Sequence, residues 1–343
     1  MTSTDLRHLS LPIISAAVLF VACGSESTGP DDPPDSPNLG LAIAVRTDPA
    51  TFQQTGEFVL ELIPNTTQGQ SLVAEPWDIS NTVTKPSSVS PDLLSKNVTA
   101  PDTSPPSLAL LVDNSSSMST NDPESLRIAA ATLLWETVLQ ERPKGQVSLL
   151  YFGVRDSPSP GFSATALLRN WTSDPADLAG ALDTLSSGAG SQIYSSTLEV
   201  IRWIDSTTPE DARRVLLLLT DGQLNRETNT SLEVLEAARQ AGVSIGTVAL
   251  GPASDRSDDP DPEAVALLQE LANGSGGLYS GAATPERLSS TLLSLTSPGS
   301  VGALHARFKL SPVPGAGSQV TGTVRLANES HGSVSGGWSF TAP

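Results

Sequence analysis

Between residues 107 and 297 short, wholly apolar runs alternate with amphipathic stretches, and this alternation limits the fold more than any other feature of the chain. Leu108–Val112 and Val215–Leu219 contain no polar residue, so each reads as a strand buried on both faces. After the first, Pro123 and Glu124 open a predicted helix in which Leu126, Ala130, Leu133, Leu134 and Val138 recur at helical spacing, ended by Pro143. Strands are expected at Val147–Val154 and, more weakly, at Ala166–Trp171. A helix capped at Ser173-Asp174-Pro175 is expected to run to about Leu185, and the next carries Ile193, Thr197, Val200, Ile201 and Ile204. Beyond Leu219 come a helix around Leu232, Leu235 and Ala238 ending at Gly242, a strand Ile245–Leu250, a helix Pro262–Ala272, a short strand at Leu278-Tyr279 and a helix Pro285–Leu295. Strands alternating with helices imply an α/β fold with a doubly wound, mostly parallel sheet covered on both faces.

Ligands of such sheets bind beyond the carboxyl ends of the strands. The residues after the two most apolar strands are Asp113-Asn-Ser115-Ser-Ser117 and Thr220-Asp221-Gly222. Hydroxyls and carboxylates without nitrogen or sulfur suit a hard divalent cation. Asp-x-Ser-x-Ser alone says little in a Ser-rich chain, and Asp78-Ile-Ser80-Asn-Thr82 nearly repeats it. The Asp113 copy differs in its setting: apolar strand, motif, polar loop, amphipathic helix, then a second apolar strand ending in Thr-Asp-Gly.

Residues 107–297 resemble a von Willebrand factor A domain, and the site resembles its metal-ion-dependent adhesion site. Asp113, Ser115 and Ser117 match the first loop of that family, and Asp221 matches its acidic loop. The middle loop of the family carries Gly-Gly-Thr before a helix starting Leu/Ile-Tyr; here Ala189-Gly190-Ser191-Gln192-Ile193-Tyr194 places Ser191 at the threonine position. The hydroxyl is kept, while the methyl that restricts its rotamer is not. The resemblance implies a six-stranded sheet and a bound Mg²⁺ (or Mn²⁺ or Ca²⁺). It also implies direct ligation by serine hydroxyls, aspartates acting largely through water, and one position left for an Asp or Glu carboxylate of a protein partner. The alternative is that Asp113 and the serines only cap a helix, making the domain a metal-independent assembly part of an envelope complex.

Composition excludes other roles. A net charge of −18 argues against a nucleic-acid backbone as partner, because phosphate binding needs a Lys/Arg excess. The single cysteine cannot form an internal disulfide, and the three histidines, His8, His305 and His331, all fall outside residues 107–297, so a Ser–His hydrolase site is not expected and the chain is read as a non-enzyme. The acidic run from Ser254 to Glu263 lies on the rim of the cation site but lacks calcium-loop spacing, so it reads as a solvated loop.

The two ends of the chain read differently. Arg7 and His8 precede an apolar run, Leu9–Ala22, too short to span a bilayer but right for a signal peptide. Ala22-Cys23-Gly24 resembles a bacterial lipoprotein signal, with Phe20 where Leu is usual; residues 1–22 would be removed and Cys23 lipidated, anchoring the protein in the cell envelope, at the outer membrane or cell surface. Residues 23–38, rich in Pro and Asp, read as a disordered tether. Residues 39–106 and 298–343 carry short strand-like runs and no evident helix, and are expected to be β-rich flanks, with one shared sandwich weighed against two separate extensions. Trp77 and Trp338 are assigned to the core.

Overall fold

A computed structural model describes residues 35–343 apart from 37, 67–69, 100–104, 142–143, 154–158, 183–184, 186–187, 189, 210–211, 226, 256, 258 and 282–301. The leader, Cys23, most of the tether and the helix expected at Pro285–Leu295 lie outside the described residues. In chain order the elements are β1 (Leu39–Arg46), α1 (Pro49–Thr55), β2 (Glu57–Thr66), β3 (Asp78–Lys85), β4 (Ser90–Val98), β5 (Pro106–Asp113), α2 (Met118–Asn121) and α3 (Leu126–Glu141). There follow β6 (Gln146–Phe152), β7 (Thr165–Thr172), α4 (Pro175–Leu178), α5 (Ile193–Thr207), β8 (Arg213–Thr220), α6 (Ser231–Ala241) and β9 (Val243–Ala249). The series ends with α7 (Pro262–Ser275), β10 (Tyr279–Gly281), β11 (Leu304–Ser311), β12 (Gln319–Asn328) and β13 (Gly332–Thr341).

The parallel strands β10, β9, β8, β5 and β6 lie side by side in that order, with β7 antiparallel at the β6 edge. Strand β5 shows why its sequence is apolar throughout. Leu108, Leu110 and Val112 pack on one face with Ala131, Leu134 and Trp135 of α3. Ala109 and Leu111 pack on the other with residues of α5, α6 and α7, including Ile201, Val234 and Leu268. Helix α6 starts at a capping box in which Thr230 and Glu233 each bond the other's backbone N–H.

The sheet does not stop at the six strands the sequence predicts. Strand β1 pairs antiparallel with the free edge of β10, Ile43 opposite Tyr279, and β2, β11 and β4 follow, giving ten strands in one sheet among the described residues. The physical reason lies in Leu41–Val45, five consecutive buried apolar residues, which fit a strand covered on both faces.

Strands of the two flanks interleave. β11 lies between β2 and β4, and β12 lies between β3 and β13 in a separate three-stranded sheet. The two layers meet through aromatic side chains: the Phe58 ring lies 5.2 Å from that of Trp338 and 5.5 Å from that of Phe340. Trp77 and Trp338 are buried, their indole N–H groups donating to Leu72 O and Asn81 Oδ1. Three helix expectations need correction. The N-terminal flank contains α1, whose signal was Asp48-Pro49 at the start and Gly56 at the end; Asp48 accepts a hydrogen bond from Thr51 N. The helix expected from Pro123 starts at Leu126, after the short α2, because Asp122 turns the chain and takes the Arg127 N–H. The helix expected to reach Leu185 is the four-residue α4, correctly capped by Asp174 but followed by Ala179 in an extended conformation.

Candidate cation site

The apolar strands β5 and β8 carry their last residues to one edge of the sheet, with Val112 level with Leu219. Asp113 and Asp221 are both fully buried there. Asp113 Oδ1 accepts a hydrogen bond from Ser115 N at 2.7 Å and Oδ2 accepts one from the Thr220 hydroxyl at 2.5 Å. Asp221 Oδ1 accepts from Gln223 N at 3.2 Å and Oδ2 from Asn121 Nδ2 at 2.9 Å. Neither carboxylate forms an ion pair among the described residues. Burial, and then the neighbouring Asp221 charge, push the Asp113 carboxyl up to about 6 despite the bonds from Ser115 and Thr220.

Two of the predicted hydroxyls meet on the loop that follows Asp113. Ser115 Oγ and Ser117 Oγ share a 3.0 Å hydrogen bond, Ser115 buried and Ser117 half-buried. The third loop is held against the first two by backbone contacts: Gly188 N donates to Asn114 O at 2.7 Å, and Asn225 N donates to Ser191 O at 2.8 Å. The first contact needs glycine, because a Cβ on Gly188 would lie 1.6 Å from Gly153 O. The Glu227 carboxylate then caps α5, accepting from Tyr194 N, Ser195 N and Ser195 Oγ. Ser191 Oγ is buried and has no hydrogen-bond partner among the described residues.

The fold thus brings all three predicted loops to one sheet edge. Two buried like charges without a basic partner and a buried hydroxyl without a bond are what a cation would relieve, and the donor set, all oxygen, fits a hard ion. No cluster of three or more His, Cys, Asp or Glu that could hold a metal ion occurs among the described residues. Cys23 lies outside the described residues.

Sequence reasoning missed the supports. Thr220 had a signal: it is the polar residue that closes the apolar run Val215–Leu219, level with Asp113. Asn121 had none. The buried Arg127 pairs with Asp122 at 2.7 Å and donates from Nε to Asp113 O at 3.1 Å, fixing the backbone beneath the first loop. The acidic run is more structural than a solvated loop: Asp255 accepts from Gly337 N at 2.9 Å, and Asp261 caps α7.

Comparison with known proteins bears on the family. No curated protein sequence matches the chain. Solved structures similar to it include a serine-substituted aerotolerance-related membrane protein from Bacteroides fragilis (16% identity, 56% of this chain and 98% of that one, TM-score 0.41). Others are manganese-loaded TRAP protein from Plasmodium vivax (13%, 76% and 97%, 0.43) and proximal thread matrix protein 1 from the mussel byssus with a zinc-occupied MIDAS motif (18%, 62% and 49%, 0.42). At these values nothing about their ligands is carried over. The family model of the von Willebrand factor type A domain matches residues 108–223, the span that contains β5, β8 and all three loops of the site. The chain carries a von Willebrand factor type A domain.

Proposed function

We propose that this chain is an envelope lipoprotein whose von Willebrand factor type A domain binds a protein partner through a divalent cation, and that it is not an enzyme. The observation that carries the reading is the pair of buried carboxylates, Asp113 and Asp221, neither in an ion pair among the described residues, with a Ser191 hydroxyl on the adjoining loop that has no hydrogen-bond partner among them. Ser115, Ser117 and Ser191 would supply hydroxyl ligands, and Asp113 and Asp221 the negative charge. The cation, Mg²⁺ first and Mn²⁺ or Ca²⁺ next, would supply a Lewis-acidic position for an Asp or Glu carboxylate of the partner. Leu224, exposed on the loop that follows Asp221, offers apolar contact beside that position. Both histidines of the described residues, His305 and His331, lie in the flanks, which supports the absence of His-based catalysis.

Calorimetric titration with Mg²⁺ and Mn²⁺ tests the reading. Saturable one-site binding at millimolar cation is expected. Its absence in folded protein would favour the metal-independent assembly module, in which the Asp113–Thr220 and Asp113–Ser115 bonds suffice by themselves.

Ser191→Thr should retain or tighten cation binding, because it keeps the hydroxyl and restricts its rotamers. Titration of this variant beside Ser191→Ala, which should weaken binding at least about tenfold for a lost buried ligand of ~1.4 kcal/mol or more, separates a ligand from a filler. Equal affinities for the three forms would remove Ser191 from the site.

Anchoring is tested apart from the cation. Cys23→Ser should release the protein from membranes or stall its processing. A variant that fractionates with membranes and has the mass of a processed chain without lipid would refute the anchor. No helix among the described residues is long and apolar enough to cross a membrane.

A further inference from the structure

The loop that follows β9 touches the cation site where side chains are missing. Gly251 lies so close to Asn121 that a Cβ on it would stand 3.1 Å from both Cβ and Cγ of that residue. Asn121 is the residue whose amide donates to Asp221 Oδ2. On Gly222, which follows Asp221, a Cβ would stand 2.7 Å from Ala253 Cβ. Leu250 N also donates to Thr220 O at 3.0 Å. The seating of residues 250–253 therefore bears on where Asn121 and Asp221 stand.

Tyr279 and Asp255 hold that turn. The buried Tyr279 Oη lies 3.1 Å from Ala253 O and 3.2 Å from Asp255 Oδ1, and it accepts from Asp255 N at 3.0 Å. The phenol has one proton, so it serves one of the two acceptors at a time. Asp255 Oδ2 accepts from Gly337 N at 2.9 Å, which bonds the loop to β13 of the C-terminal flank. The end of β10 leaves room for this carboxylate: a Cβ on Gly281 would stand 2.3 Å from Asp255 Oδ1. A chain of contacts thus runs from β13 through Asp255 and Ala253 to the residues beside Asp221.

We propose that Asp255 is a positioning residue for the cation site. It fastens the turn Gly251–Ala253 to Tyr279 and β13, and the turn, packed on Asn121 and Gly222, keeps Asp221 where a cation can use it. The proposal rests on the cation-site reading above. Asp221 is oriented by bonds from Asn121 and from Gln223 N. A turn released from Asp255 gives Asn121 space to swing away, and the Asp221 carboxylate follows. Linkage is reciprocal, so a bound cation should steady the turn and its bond to β13 in return.

Titration with Mn²⁺, followed by the paramagnetic resonance of the unbound ion, tests this on the wild type, Asp255→Ala, Asp255→Asn and Tyr279→Phe. Asp255→Ala should raise the Kd about fivefold or more. Tyr279→Phe keeps the buried ring and loses the Oη that holds the turn, so it should raise the Kd too. Asp255→Asn loses the charge but keeps an oxygen for Gly337 N and gains an amide that can donate to Tyr279 Oη, so its Kd should stay near that of the wild type. A second readout needs no metal. With chelator present, hydrogen exchange in peptides covering residues 113–122 and 220–225 should quicken in Asp255→Ala and match the wild type in Asp255→Asn. Wild-type affinity and exchange in folded Asp255→Ala and Tyr279→Phe would overturn the proposal. So would an Asp255→Asn as weak as Asp255→Ala, because the effect would then be one of charge and not of position. A wild type that binds no Mn²⁺ would instead end the cation-site reading, and this proposal with it.

Discussion

Replacing Asp113 with Asn should raise the melting temperature of the cation-free protein and abolish its response to Mg²⁺. Asn has the shape of Asp, can accept from Ser115 N through Oδ1, and can donate its amide to the Thr220 hydroxyl. What it lacks is a charge that the fold disfavours. The Asp113 carboxyl is raised from its ordinary 3.8 to about 6. A carboxyl raised on folding binds its proton more tightly in the native state, so stability is fully present below the unfolded value and is lost as pH rises through about 6. At neutral pH the ionised form costs on the order of 2–3 kcal/mol. Removing it should raise the melting temperature by roughly 3 °C or more in the presence of chelator. In the wild type the cation should recover that loss, with stabilisation of about 2.7 kcal/mol at a concentration 100 times its Kd. Asp113→Ala should also abolish binding, without the gain, because it leaves Ser115 N and the Thr220 hydroxyl unbonded. Thermal scans of the three proteins with chelator, Mg²⁺ and Mn²⁺ check this. A wild type whose melting temperature ignores all three additions would end the adhesion-site reading.

Deleting residues 302–343 should unfold the N-terminal flank while the parallel sheet of β5, β6, β8 and β9 stays compact. The deletion takes β11 from between β2 and β4, and β12 from beside β3. It also removes the buried Phe308, Leu326, Trp338 and Phe340, at ~1.5–3 kcal/mol each when fully buried. Phe58 would lose three aromatic neighbours, Phe308, Trp338 and Phe340. Losses of this size exceed what a marginally stable region can absorb. Limited proteolysis with mass mapping should show early cuts between residues 39 and 99 and slow cuts between 107 and 281. A flank as resistant as in the intact chain would show that it does not depend on the C-terminal strands.

The parts of the molecule that were legible in the sequence are those whose signals are local. The runs at Leu108 and Val215 are buried on both faces, so they are apolar throughout, and the polar residues that end them mark the site edge. The capped starts of α4 and α7 are equally local. Pairing between distant segments leaves a weaker mark. Nothing near Tyr279 announces that Ile43 will pair with it, and so the continuation of the sheet was missed although Leu41–Val45 had the composition of a central strand. Helix α1 was missed for another reason: seven residues between strand-like runs give too little periodicity, and only Asp48-Pro49 and Gly56 mark its ends. Within the site, Asp113, Ser115, Ser117 and Asp221 were visible because they follow apolar strands, whereas Ser191, just before α5, was placed by the family resemblance. Asn121 and Arg127 support them from helical positions where their side-chain chemistry is common, and so escaped notice.

The interleaving of the flanks also sets an order of assembly. Strand β2 ends at Thr66 and β4 at Val98, yet β11, which joins them, begins at Leu304. β2 can pair early with β1, but its other edge, and β4, must wait for a segment made more than 200 residues later before their hydrogen bonds to it close. Contacts of such long sequence separation form late, because the entropy of closing the loop is lost before the pairing repays it. In a chain that crosses a membrane amino end first, the flank would stay open until the last strands arrive. The parallel sheet, whose partners β5 and β6 are separated only by the short α2 and by α3, can form sooner. Completion of the flank would then follow the arrival of β11 and β12.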